Sequence, residues 1–78
     1  MISTVTTLDH LSEGQFGYIT NVSETGMLKR RLWDLGIVEG TKVYCAHKGP
    51  FGDPVAYQVR GAVIALRKDD SRNIQIEL

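Results

Sequence analysis

The chain has 78 residues, 42% of them apolar and 23% charged, which is enough for one small core and too little for the large folds that carry most catalytic machinery. At this size a single core supplies roughly 3–5 kcal/mol of net stability, so nearly every regular element must lend it a face. Nine basic residues balance nine acidic ones, which removes the overall basic excess typical of nucleic-acid binders and leaves room only for a local patch.

Residues 1–7, MISTVTT, lack the basic start and long apolar run of a secretory signal. The longest apolar stretch, AVIAL at 62–66, falls far short of the ~18 residues of a bilayer span. Cys45 is the only cysteine, so no internal disulfide can form and the cytosol is the default compartment. A soluble, cytoplasmic, single domain over residues 1–78 is expected.

Residues 3–7 are polar and β-branched, an edge strand or a frayed end. A single-turn element follows from Thr7, with Leu8 and Leu11 three apart and Gly14 ending it. Residues 16–22 form a strand. Residues 24–35 are the one convincing helix, with Ser23 as N-cap acceptor. Its Leu28, Leu32 and Leu35 make a core-facing stripe. Gly36 closes it in the left-handed region, and Ile37 folds back onto the last turn. Gly40 serves the turn into the next strand. Strands at 41–47, 55–60 and 73–78 alternate apolar and polar residues, and 62–67 follows Gly61 as another. Residues 48–54 hold two glycines and both prolines and read as a long hairpin loop. About five short strands with one inserted α-helix predict a mainly β fold, a small SH3-like, partly open barrel, with an OB-fold barrel as runner-up.

No catalytic constellation is visible: the serines lie outside any nucleophile-elbow setting, and no phosphate-binding glycine loop occurs. Cys45 and His47 stand at i and i+2, on one side of a regular strand, and are weak candidates for a shared metal ion. Two ligands are not a site, and the only other histidine is His10. A buried core thiol beside a solvated histidine is the competing reading. Asp69 and Asp70 read as a solvated polar turn. On the helix, Trp33 lies about 140° around from Leu28 at ~100° per residue, flanked by Lys29 and Arg30. Lys29, Arg30 and Trp33 are therefore candidate partner-binding residues, since tryptophan and arginine concentrate at interfaces. A tryptophan covering the barrel end is the alternative. Phe51, at the tip of the 48–54 loop, is the competing contact point. Asp34 stands near Arg30 and Arg31 in helical spacing, predicting a solvated ion-pair face.

Residues 31–41, RLWDLGIVEGT, resemble the FeoA family pattern R-L-x-x-L-G-apolar-x-x-G followed by a strand. TLDHLSEG at 7–14 is similar to the family's opening T-L-x-x-L-x-x-G. Gly52-Asp53-Pro54 resembles its G-D-P hairpin signature, and Gly61 with Ala65-Leu66-Arg67 its G-x-x-x-A-L-R segment. Four motifs in order cover essentially the whole chain. Physically, they supply helix-core leucines, a cap at Gly36, a turn at Gly40 and a backbone-capping carboxylate at Asp53.

The resemblance implies an SH3-like barrel acting as a non-enzymatic cytoplasmic accessory of FeoB, the ferrous iron transporter of bacterial membranes, and peripheral to the membrane only through that partner. Similar barrels end the iron- and manganese-dependent repressors related to the diphtheria toxin repressor, but this chain shows no helix-turn-helix. The alternative is a protein that binds a divalent transition metal, iron or zinc, directly as sensor or carrier. A small nucleic-acid-binding barrel comes third, because stacking aromatics interleaved with basic residues are sparse.

Overall fold

The computed structural model describes residues 4–23 and 27–78. Its elements in chain order are β1 (Val5–Thr7), a 3-10 turn (Leu8–His10), β2 (Phe16–Val22), α1 (Met27–Asp34), β3 (Lys42–Lys48), β4 (Val55–Val59), β5 (Ala62–Leu66), α2 (Lys68–Ser71) and β6 (Ile74–Glu77). The strands form one sheet in the order β1-β6-β2-β3-β4-β5, and all its pairings are antiparallel.

The expected mainly β class holds, with one strand more than the alternation indicated. That strand is β1, the short segment that read as edge or frayed end. It is fixed by pairing to β6, Val5 opposite Glu77 and Thr7 opposite Gln75. The one-turn α2 was not expected. Its first amide, the N–H of Lys68, donates to Asp53 Oδ1 at 2.8 Å, so Asp53 caps a helix 15 residues away instead of the amides of its own hairpin.

Because side chains alternate across a strand, the inner face collects Ile19, Val43, Cys45, Val55, Tyr57, Val59, Leu66, Ile74 and Ile76. Leu8, Leu11, Leu32 and Ile37 close over them from the connections and the helix. Leu78, aligned in sequence with Ile74 and Ile76, is exposed at the chain end. The β4–β5 connection is the two residues Arg60 and Gly61, both at positive φ (51° and 82°), which matches the twist of a tight hairpin.

The helix stripe is only partly as expected. Residues 24–26, the proposed start after Ser23, lie outside the described residues, as does the side chain of Leu28. Leu32 is fully buried, whereas Leu35 is 39% exposed, because the helix has already ended at Asp34. Gly36 takes φ +87°; its N–H donates to the Trp33 carbonyl at 2.9 Å, and the Ile37 N–H to the Leu32 carbonyl at 2.8 Å. This double closure satisfies the last carbonyls and turns Ile37 into the core in the place Leu35 was expected to fill.

Gly36→Ala should destabilise the fold by about 1–2 kcal/mol, since an alanine is strained at this φ and its Cβ would stand 3.2 Å from Arg60 Cδ; urea unfolding checks this. Tyr57 supplies a second test. Its hydroxyl donates to the Leu8 carbonyl at 3.3 Å, and burial pushes the phenol from 10.0 up to about 12. The phenol is neutral in both folded and unfolded chains below pH 10, so its contribution there is constant. Above that the unfolded chain loses the proton first, and stability should fall as pH rises towards about 12. Urea unfolding at rising alkaline pH should show this decline in the wild type and a smaller one in Tyr57→Phe.

Candidate functional site

The way α1 ends decides what it presents. With Leu32 held in the core, the next residue is rotated about 100° away, and Trp33 is left 59% exposed. Trp33 and Lys29 line one hollow together with Asn21, Val22, Val38 and Glu39. Arg30 is exposed beside it but does not line it. The expected pairing of Asp34 with Arg30 or Arg31 is absent from the ion pairs of the described residues, which are Asp9–His10 and Asp69–Arg72.

Phe51 is 95% exposed at the tip of the β3–β4 loop, held by the Gly49 N–H donating to the Pro54 carbonyl and the Gly52 N–H to the Gly49 carbonyl. It lines a different hollow, with Asp9, Lys48, Asp53 and Lys68. The two sites sit towards opposite ends of β3, whose seven residues span about 20 Å. The structure therefore brings Lys29 and Trp33 together and keeps Phe51 apart from them.

Cys45 and His47 do not share a face. The β3–β4 register places Cys45 opposite Tyr57 and His47 opposite Ala56, with a shift between them. Ala46 is the extra residue of a β-bulge, which reverses the side-chain alternation beyond it. Cys45 is fully buried in the core and His47 exposed. Burial raises the Cys45 thiol above its ordinary range, partly offset by Lys48, so the metal-binding thiolate is disfavoured there. His10 sits on the 3-10 turn, its Nδ1 2.9 Å from Thr7 Oγ1. Among the described residues no three His, Cys, Asp or Glu side chains gather into a metal-ligating group.

The outer face of the sheet carries a cluster that the sequence reading did not single out. Phe16 lies opposite Tyr44, and Tyr18 opposite Lys42; all three aromatic rings are substantially exposed. Phe16 and Tyr18 meet edge to face, ring centres 6.1 Å apart, and Lys42 Nζ lies 4.3 Å from the Phe16 ring centre. Gln58 continues the row beside Tyr44. The signal was present: Phe16 and Tyr18 occupy the polar phase of a strand whose buried phase is Gly17 and Ile19, as Tyr44 does beside Val43 and Cys45. Gly17 matters here because a Cβ would meet Ile76 Cδ1 at 3.1 Å and the Glu77 carbonyl at 3.2 Å. Only glycine lets β6 approach this closely behind the aromatic pair.

An antiparallel six-stranded sheet with short helices, an apolar interior and an outer face of exposed aromatics defines a small, mainly β domain. The family model for the FeoA domain matches residues 6–78, and the chain belongs to the FeoA domain family. It is 30% identical over 71 residues to the Fe(2+) transport protein A/Fe(2+) transporter FeoB fusion protein of Porphyromonas gingivalis, a match covering 91% of this chain and 8% of that protein. The chain thus spans less than a tenth of that relative's length.

Among solved structures, the FeoA-like protein of Clostridium acetobutylicum superposes with a TM-score of 0.87 at 29% identity, over 100% of this chain and 90% of that one. The FeoA of Stenotrophomonas maltophilia, complexed with zinc and described as a procaryotic SH3 domain protein, gives 0.80 at 30% identity, over 90% and 87%. The SH3-like expectation is borne out by this likeness.

Zinc titrated into this protein should find no tight equimolar site within one molecule, and Cys45→Ala should leave whatever binding occurs unchanged. A monomer that keeps one zinc ion through chelation would show that Cys45 or another donor is recruited by rearrangement.

Proposed function

We propose that this protein is a non-enzymatic accessory of bacterial ferrous iron uptake that binds a FeoB-type transporter on its cytoplasmic side and modulates transport by protein–protein contact. The observation that carries this reading is the P. gingivalis relative, in which a segment homologous to this chain and the Fe(2+) transporter FeoB share one polypeptide. Covalent linkage holds two modules at effective concentrations of the order of mM, an arrangement of use when the two must touch. The S. maltophilia structure supports it, being discussed as a candidate ferrous iron transport activating factor. No helix among the described residues is long and apolar enough to cross a membrane, so the proposed route to the membrane is through the partner.

The helix face of Lys29, Arg30 and Trp33 is the proposed contact: Trp33 is a large ring already exposed beside a hollow and a cation, the make-up of an interface anchor. The second reading, direct carriage of a divalent transition metal such as iron or zinc, draws on the zinc in the S. maltophilia structure. Titration with ferrous iron separates it from the first.

Binding of the purified protein to the detergent-solubilised transporter tests the proposal. Trp33→Ala should weaken binding by about 2 kcal/mol and change folding stability by less than about 1 kcal/mol, because Leu32 and Ile37 still hold the helix. Full affinity in Trp33→Ala with loss in Phe51→Ala would move the contact to the β3–β4 loop.

A further inference from the structure

The outer aromatic row borders a groove of about 710 Å³, lined by Phe16, Gly40, Thr41, Lys42, Tyr44, Gln58, Arg60 and Gly61. The register explains its shape. Phe16, Tyr44 and Gln58 are neighbours on β2, β3 and β4 and make one wall running across the strands. Lys42, two residues along β3, leans over this wall with its Nζ 4.3 Å from the Phe16 ring centre, and Arg60, just past β4, lines the groove beyond it. Gly40 and Gly61 have no side chains to fill the space between. Two cations line the groove and no carboxylate does. Neither Lys42 nor Arg60 belongs to an ion pair among the described residues. The Arg60 stem rests against Gly36, which fixes its base at the C-terminal end of α1.

We propose that this groove docks an extended acidic segment of a partner protein, with carboxylates on Lys42 and Arg60 and apolar side chains on Phe16 and Tyr44. The occupant follows from charge complementarity: a surface with paired positive charges beside an apolar wall favours a partner with the opposite arrangement and rejects a basic one. Crossing from β2 to β4 covers about 10 Å, the reach of three to four extended residues. Single-stranded nucleic acid also uses cations and aromatics, but it needs free ring faces. Here one face of Phe16 is covered by the Lys42 ammonium and its ring meets Tyr18 edge to face, which leaves Tyr44 as the groove's one ring outside these contacts, too few for a run of stacked bases. The inference rests on the accessory reading above, since it assigns that accessory a surface and gives its partner a chemistry.

The test uses a fluorescein-labelled heptapeptide alternating glutamate and valine, which favours an extended backbone, together with versions carrying lysine for glutamate or serine for valine, and an eight-nucleotide oligothymidylate. The acidic peptide should bind at least tenfold more tightly than the lysine and serine versions and weaken as salt is added. It should shift the amide resonances of Lys42, Tyr44, Gln58 and Gly61. Lys42→Glu with Arg60→Glu should reverse the preference towards the lysine peptide. If that double variant is poorly folded, Lys42→Gln alone should weaken acidic-peptide binding severalfold.

Equal binding of acidic and basic peptides, no binding at millimolar concentration, or shifts confined to the Trp33 hollow would overturn the proposal. Tighter binding of the oligothymidylate would replace it with a nucleic-acid platform. The solubilised transporter forms the second arm. Transporter binding that is lost in a folded Lys42→Glu, Arg60→Glu variant supports the groove; binding that is equal in wild type and variant removes the transporter as the groove's partner and overturns the groove when the acidic peptide also fails to bind selectively. Selective peptide binding by a wild type that does not bind the transporter keeps the groove and removes the transporter as its partner.

Discussion

The passage of the chain from α1 into β3 is the constraint on which the surface depends. Within seven residues the helix must end, cover the core and deliver the chain in register to a strand beside β2. Gly36 ends the helix by taking a φ of +87°, a region that costs residues with a Cβ about 1–2 kcal/mol. Ile37 turns under Leu32, and the Thr41 hydroxyl donates back to the Gly36 carbonyl at 3.1 Å. The Gly40 N–H donates to the Ile19 carbonyl at 2.7 Å, and the Ile19 N–H to the Thr41 carbonyl at 2.9 Å. The loop is thereby tied to β2 before β3 begins.

That tie also sorts the exposed groups. On one side of the loop, Trp33, Lys29 and Glu39 surround a hollow. On the other, Gly40 and Thr41 open into the groove between Lys42, Arg60 and the aromatic row. Arg60 reaches from the β4–β5 turn to the helix end, so the hairpin and the helix share a border. The tryptophan hollow and the aromatic groove thus meet the chain at consecutive residues, Glu39 and Gly40. The Phe51 loop lies at the far end of β3.

The two β-bulges divide structural from surface duty within single strands. In β3 the extra residue Ala46 leaves Cys45 in the core and sends His47 to the surface. In β2 the shift between Ile19 and Asn21 returns Val22 to the inner side, where it is buried. Regular alternation would have forced a choice between a paired metal site and a sealed core. The bulge in β3 removes the pair and keeps the core apolar.

Most of the fold was determined by local pattern. Alternation placed β3, β4 and β6 within a residue of their ends, β2 and β5 matched the strands expected at 16–22 and 62–67 to within a residue, and the glycines at 36 and 40 marked turns because glycine tolerates the φ these turns need. The exposure of Trp33 also followed from helical spacing, since one residue past Leu32 is always about 100° away. Tertiary structure decided what pattern could not. The pairing of β1 depends on β6, almost seventy residues later. The role of Asp53 depends on the amide of Lys68. Leu35 is out of the core because the helix ends at Asp34 and Ile37 is buried in its place, an outcome that helical periodicity does not describe. The separation of Cys45 from His47 turns on one unpaired residue, and the groove exists only where Phe16, Tyr44 and Arg60, distant in the chain, are brought together by strand register. Each of these depends on partners that local sequence does not name.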